Sequence, residues 1–134
     1  MTRVVVPVRY PLTPRSRRTL EHAVRIAEER DADLTVVHVA LYQMDRDVTR
    51  TELKAAVERA VGRLPRARYV VRRGFLVEQT ILDEVAAEDA DIVVVGRAQV
   101  GRFRRLLRRL LDEPDIEAFL RREVDCEVVT VPDA

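Results

Sequence analysis

The sequence holds one cysteine, Cys126, and no tryptophan. A single cysteine excludes an intrachain disulfide and makes an intracellular home the default expectation. No apolar run approaches the roughly 18 residues needed to cross a bilayer, and the apolar part of the opening MTRVVVPVRYP is too short for a secretory leader. A cytoplasmic protein is therefore expected. Neither sign of charge prevails: Lys+Arg number 24 and Asp+Glu 23, a formal net charge of +1. That balance gives no global pull toward nucleic acid or membrane, and neither is expected as a partner. The 2 histidines and the cysteine show no C-x-x-C or H-x-x-x-H spacing, so no metal site is expected. No linker rich in proline, glycine or serine breaks the chain, and no repeat stands out, which predicts a single domain over residues 1–134.

What is there is a hydrophobic share of 47% and a charged share of 35%, the composition of a globular domain with a heavily charged skin. All the basic residues except Lys54 are arginine, which favours forked contacts to carboxylates or phosphates. Short β-branched runs recur at VVVPV (4–8), LTVVHV (34–39), RYVVR (68–72), DIVVVG (91–96) and CEVVTV (126–131). Four of them are almost continuously apolar, as in strands covered on both faces.

Helical patterns lie between these runs. Leu20, Ala23, Val24 and Ala27 share one face behind a Thr13-Pro14 start. Leu53, Ala56, Val57, Ala60, Val61 and Leu64 repeat the spacing behind a Thr49/Glu52 capping box. Ile81, Leu82, Val85 and Ala86 give a third stripe, and Ile116, Phe119 and Leu120 a fourth. Five strands alternating with four helices predict a doubly wound α/β domain, a three-layer sandwich around a parallel sheet. Ligands of such sheets sit beyond the carboxyl ends of the strands, where the strand order reverses. This points to the loops after strand one (Arg9 to Thr13) and after strand four (Gly96 onward).

VVVPV, the helix-to-strand run AVRIAEERDADLTVVHV, the stretch RRGFLVEQTILDEVAAEDADIVVVG and the closing VDCEVVTVP together resemble the universal stress protein family, whose fold is adenine nucleotide alpha hydrolase-like. The resemblance spans nearly the whole chain and implies the strand order 3-2-1-4-5. Nucleotide-binding members share a motif after strand four: Gly, two residues, Gly, nine residues, Gly, then Ser or Thr, completed by an Asp at the end of strand one. Glycines let backbone N–H groups approach phosphates, and a helix N-terminus adds positive potential. Here Gly96 fills the first position, but Gln99, Arg109 and Leu110 fall on the others and Arg9 stands where the Asp would be. Gly101 lies where members often carry an extra glycine, and DEPDI reads as an insertion. The resemblance thus implies a degenerate site and no ATP or other cofactor. The ligand positions that it marks are Arg9, Val39, Gly96, Arg97, Gly101 and Arg102.

The arginines between Arg97 and Arg109 leave three readings open. Phe103, Leu106, Leu107, Leu110 and Leu111 share a helical face, so the arginines could be a solvated face pairing with Asp112, Glu113, Asp115 or a partner chain. Alternatively, Arg9, Arg15, Arg97 and Arg102 form an anion site in place of the lost glycines. In the third reading the basic helix meets a membrane surface or polyanion. His38 reads as a satisfied buried histidine, Cys126 as a small buried hydrophobe, and Asp89 and Asp91 as turn residues. No catalytic arrangement is visible, and Asp45 and Asp47 are remote candidates for holding Mg²⁺, so a non-enzyme is expected. The family commonly dimerises through its last strand, which implies a homodimer through Val128, Val129 and Val131, with a further protein partner of unknown identity. Two functions follow: a non-catalytic dimeric domain in stress response or regulation, or a sensor of a nucleotide or phosphorylated anion.

Overall fold

A threonine hydroxyl opens each of the first two helices. Thr13 Oγ1 accepts from the Ser16 amide at 3.1 Å ahead of Pro14, and Thr49 and Glu52 form the reciprocal capping box, each bond 3.0 Å long. Aspartates in the left-handed region, Asp31 (φ 51°) and Asp89 (φ 52°), sit just past the ends of the first and third helices, a conformation that short polar side chains tolerate. The computed structural model describes residues 2–43, 47–111, 120 and 125–132, except the side chains of residues 110 and 111. Its elements alternate as β1 (Arg3–Pro7), α1 (Pro14–Glu29), β2 (Asp33–Leu41), α2 (Arg50–Val61), β3 (Ala67–Gly74), α3 (Val77–Ala87), β4 (Ile92–Gly96), α4 (Arg97–Leu111) and β5 (Glu127–Val131).

The strands form one sheet in the order β3-β2-β1-β4-β5, with every neighbouring pair parallel. Successive strand residues point to opposite faces. Val4, Val6, Leu34, Val36, Tyr69, Ile92 and Val94 meet Leu20, Ala23 and Ala27 of α1 and Leu53 and Val57 of α2. Val5, Val37, Val39, Val93 and Val95 meet Ile81 and Val85 of α3 and Phe103 and Leu107 of α4. The described residues form the expected three-layer α/β/α sandwich, with five parallel strands and the helices α1 to α4 on its two faces.

The arginine-rich stretch forms a helix, α4. Of the stripe read from sequence as a fourth helix, Ile116 and Phe119 lie outside the described residues, and Leu120 is helical and buried against the α3 and α4 face. The stretch from Gly96 onward is not a loop: α4 begins at the residue after the strand's last glycine.

Candidate functional site

The strand order reverses between β1 and β4, which pair in register at Val4 with Ile92 and Val5 with Val93. Beyond the carboxyl ends of these strands lies a crevice of about 520 Å³. Its floor includes Pro7 at the end of β1 with Val8 and Arg9 after it, His38 and Val39 of β2, and Gly96 at the end of β4; Arg15, Arg18 and Thr19 of α1 form one wall, Val77, Glu78 and Ile81 of α3 another, and Ala98, Gln99 and Arg102 of α4 a third.

Local hydrogen bonds fix the β1–α1 turn. Val8 donates its amide to Val37 O at 2.9 Å, and its own carbonyl lies 3.1 Å from His38 Nδ1. The Arg9 amide donates to Ser16 Oγ at 2.9 Å, so the backbone at residue 9 is tied to the first turn of α1. His38 is buried and packs beside the Tyr10 ring, the satisfied histidine that the sequence suggested. Gly96, the last residue of β4, lies against Thr19 of α1. A Cβ there would meet Thr19 Oγ1 at 3.4 Å, ordinary contact, so the position does not strictly require glycine.

Four arginines line the crevice, and Glu78 is the one carboxylate among its lining residues. Arg102 Nε lies 3.4 Å from Glu78 Oε1, and Arg102 Nη2 donates to Gln99 Oε1 at 3.2 Å. The Arg102 guanidinium is held below the ordinary arginine value: burial lowers it most, Glu78 works in the opposite direction, and Arg9, Arg105 and Arg15 lower it further. Cations thus converge there with little compensation. The first turn of α4 adds to them, because its leading amides have no partner within the helix and carry its positive end. Ala98 and Gln99 of that turn line the crevice. Gln99 Nε2 is buried with no hydrogen-bond partner among the described residues.

A profile of the universal stress protein family matches residues 1–132. The chain belongs to the universal stress protein family. Among solved structures it is similar to a universal stress protein in complex with cAMP, 19% identical with 95% of each chain covered and a TM-score of 0.56. It is also similar to the universal stress protein from Archaeoglobus fulgidus in complex with dAMP, 19% identical with 97% of each chain covered and a TM-score of 0.60. A third is a protein of the family from Burkholderia pseudomallei, 15% identical, with 98% of this chain and 96% of that one covered and a TM-score of 0.61. At these identities the likeness shows the fold, adenine nucleotide alpha hydrolase-like. No curated protein matches the sequence.

Of the six ligand positions marked in this universal stress protein from sequence, the fold brings Arg9, Val39, Gly96 and Arg102 to the crevice; Arg97 and Gly101 are not among its lining residues. Arg97 is exposed. Gly101 sits inside α4 with open space where a side chain would be. The physical reason for both is the same: helix replaces loop after Gly96, so these residues turn away with the helical period. Arg18 and Glu78 were missed. Arg15 and Arg18 stand three apart on the first turns of α1, a spacing that places them on one side. Glu78 carried no signal in the sequence beyond its place in the first turn of α3. Along α4, Phe103 and Leu107 are buried and Leu106 half-buried, while Arg104, Arg105, Arg108 and Arg109 are exposed. Asp112, Glu113 and Asp115, offered as their partners, lie outside the described residues, as does Asp45. Asp47 pairs with Arg73. Among the described residues no helix is long and apolar enough to cross a membrane.

Proposed function

We propose that this universal stress protein is a non-enzymatic sensor of a phosphorylated anion, bound in the switch-point crevice without Mg²⁺. The observation that carries this reading is the convergence of Arg9, Arg15, Arg18 and Arg102 on one crevice that a single carboxylate, Glu78, shares. Arginine forks grip phosphate in two-pronged contacts, and they stand where backbone amides of a glycine loop would otherwise do so. The relatives in complex with cAMP and dAMP make an adenine nucleotide the first ligand to test. Mg²⁺-ATP does not fit these residues: Arg9 holds the position of the acid that would orient the metal, and a fixed cation there repels a second one.

The test is the melting temperature with adenosine 5′-monophosphate in EDTA, and with ATP in Mg²⁺. Ligand at 100 times its Kd adds about 2.7 kcal/mol of stability. The monophosphate is expected to raise the melting temperature, and Arg9→Gln to remove that rise. No rise at millimolar monophosphate would overturn the reading.

The assembly proposed for this domain is a homodimer through β5, with action on a further protein in stress response or regulation, in the cytoplasm. What supports the dimer is that β5 is a sheet edge on which Val128 and Val129 are only half-buried. Val131 is 2% exposed in the protomer, so it would contribute backbone and not side chain. A monomeric mass in sedimentation equilibrium at micromolar concentration would overturn the dimer.

A further inference from the structure

Glu78 is the second residue of α3, and its side chain is 15% exposed. Its carboxylate makes one polar contact among the described residues, with Arg102 Nε at 3.4 Å. That is within ion-pair range but too long for a strong hydrogen bond. The Nη2 side of the same guanidinium is engaged by Gln99 Oε1. Arg102 therefore has its Nε edge covered by an acid and an adjacent donor covered by an amide. A phosphate gripped by an arginine fork needs two such parallel donors at once.

We propose that Glu78 is an internal counter-ion that occupies the anion seat on Arg102 and must be displaced when the phosphate group of a ligand binds. The proposal rests on the crevice being an anion site. Three features support displacement over permanent pairing. The contact is loose. Among the described residues Glu78 has no second partner to hold it in place. It also comes from α3, whereas Arg102 comes from α4, so the pair parts without unwinding either helix. In the empty crevice Glu78 offsets part of the repulsion among Arg9, Arg15 and Arg102 and sets a threshold that weak surrounding anions do not pass. The ligand phosphate then takes over the same neutralisation with better geometry.

The experiment is calorimetric titration of adenosine 5′-monophosphate, and separately of inorganic phosphate, into the wild-type chain, Glu78→Gln, Glu78→Asp, Arg102→Gln and the Glu78→Gln/Arg102→Gln double variant, each first checked by its melting temperature. Glu78→Gln is expected to bind about tenfold more tightly than wild type, the size of one part-buried charge-assisted contact. Glu78→Asp keeps the charge and is expected to stay near wild type. In the Arg102→Gln background the glutamine substitution is expected to change nothing. Tightening that depends on Arg102 supports the proposal, including the case where wild type binds too weakly to measure and Glu78→Gln binds. Unchanged or weaker binding by Glu78→Gln, with wild-type binding intact, overturns it and leaves the crevice as an anion site. Absence of binding by both overturns the anion site itself.

Discussion

Glu84, in the last turn of α3, and Glu88, the residue that caps its end, stand four residues apart with buried side chains, and their carboxyl groups are displaced in opposite directions. Glu84 is pushed up, by burial first and then by its hydrogen bond with Glu88, against the opposing pull of Arg72. Glu88 is also pushed up by burial, but the hydrogen bond from Glu84, the Arg3 guanidinium, Arg68 and the Thr35 hydroxyl more than reverse this, and it lies below the ordinary value. Arg3 Nη1 donates to Glu88 at 2.9 Å and Thr35 Oγ1 at 3.1 Å. Arg68 pairs with Glu88 and Arg72 with Glu84. Inside a frame of arginines from β1 and β3, Glu84 is thus held above the ordinary glutamate value and Glu88 below it.

The pH dependence of stability follows from those directions. An unfolded glutamate titrates near 4.3. Glu84, raised in the folded state, contributes stability that is fully present below that value and is lost as pH rises through its folded value. Glu88, lowered, contributes stability that is present above the unfolded value and is lost as pH falls through its folded value. Glu84→Gln removes the first contribution and keeps a donor toward Glu88 in its side-chain amide. Melting temperatures measured from pH 7 down to pH 5 are expected to move in favour of the wild type relative to Glu84→Gln. A difference that stays constant over that range would mean that Glu84 is not raised.

Breaking the same cluster at its other member should cost more. The Glu88 side chain is 2% exposed and serves three donors. Glu88→Gln leaves Arg3 and Arg68 short of a charged partner, and both are partly solvated, which limits the loss. Urea denaturation is expected to show destabilisation of about 2–3 kcal/mol, below the full value for a wholly buried pair. A loss under half that size would mean that the arginines find water at little cost.

Gly74, the last residue of β3, is held by contact and not by its backbone angles. A Cβ there would lie 2.1 Å from Thr80 Oγ1 and 3.3 Å from Thr80 Cβ. That hydroxyl is itself committed, donating to Leu76 O at 2.7 Å in the first turn of α3. Gly74→Ala must push α3 outward or break that bond, an overpacking cost of about 1–3 kcal/mol. The double variant Gly74→Ala/Thr80→Ala is expected to recover most of it. Additive losses in a double-mutant cycle would place the strain elsewhere.

The sheet was legible because β-branched runs at 4–8, 34–39 and 91–96 are apolar on both faces, which only a covered parallel strand needs. The Thr13 and Thr49 starts were legible because a cap is a local bond between residues three apart. The site was legible only in part. Arg9 and Gly96 could be placed from topology, since one follows and the other ends a strand that flanks the reversal. Glu78 and Arg18 could not, because a charged residue on an amphipathic helix looks the same whether it faces solvent or a crevice. The glycines at 96 and 101 suggested a loop, yet the surrounding alanine, glutamine, arginine and leucine are strong helix formers. Their summed preference outweighs the cost of about 1 kcal/mol for one interior glycine.

Cys126 is 1% exposed, and its thiol is pushed up to about 11, by burial first and then by Asp91. Only the thiolate reacts quickly. In the folded protein at pH 8 Cys126 is expected to resist a thiol-specific reagent and to react fully once urea unfolds the chain. Rapid labelling without urea would mean that the segment around β5 opens readily.

Gly101 decides between helix and phosphate loop after β4. It lies inside α4, and nothing approaches within 4 Å of where its Cβ would stand. In a loop that brings amide groups to a phosphate, a glycine is kept so that the backbone can approach the ligand, and alanine there costs binding. In the interior of an open helix the same change relieves an entropic cost and stabilises by about 0.5–1 kcal/mol. Gly101→Ala is therefore expected to raise the midpoint of urea unfolding by that amount and to leave adenosine 5′-monophosphate affinity unchanged. A loss of affinity without a gain in stability would return residues 97–101 to the role of a phosphate loop and remove the reason for assigning anion recognition to Arg9 and Arg102.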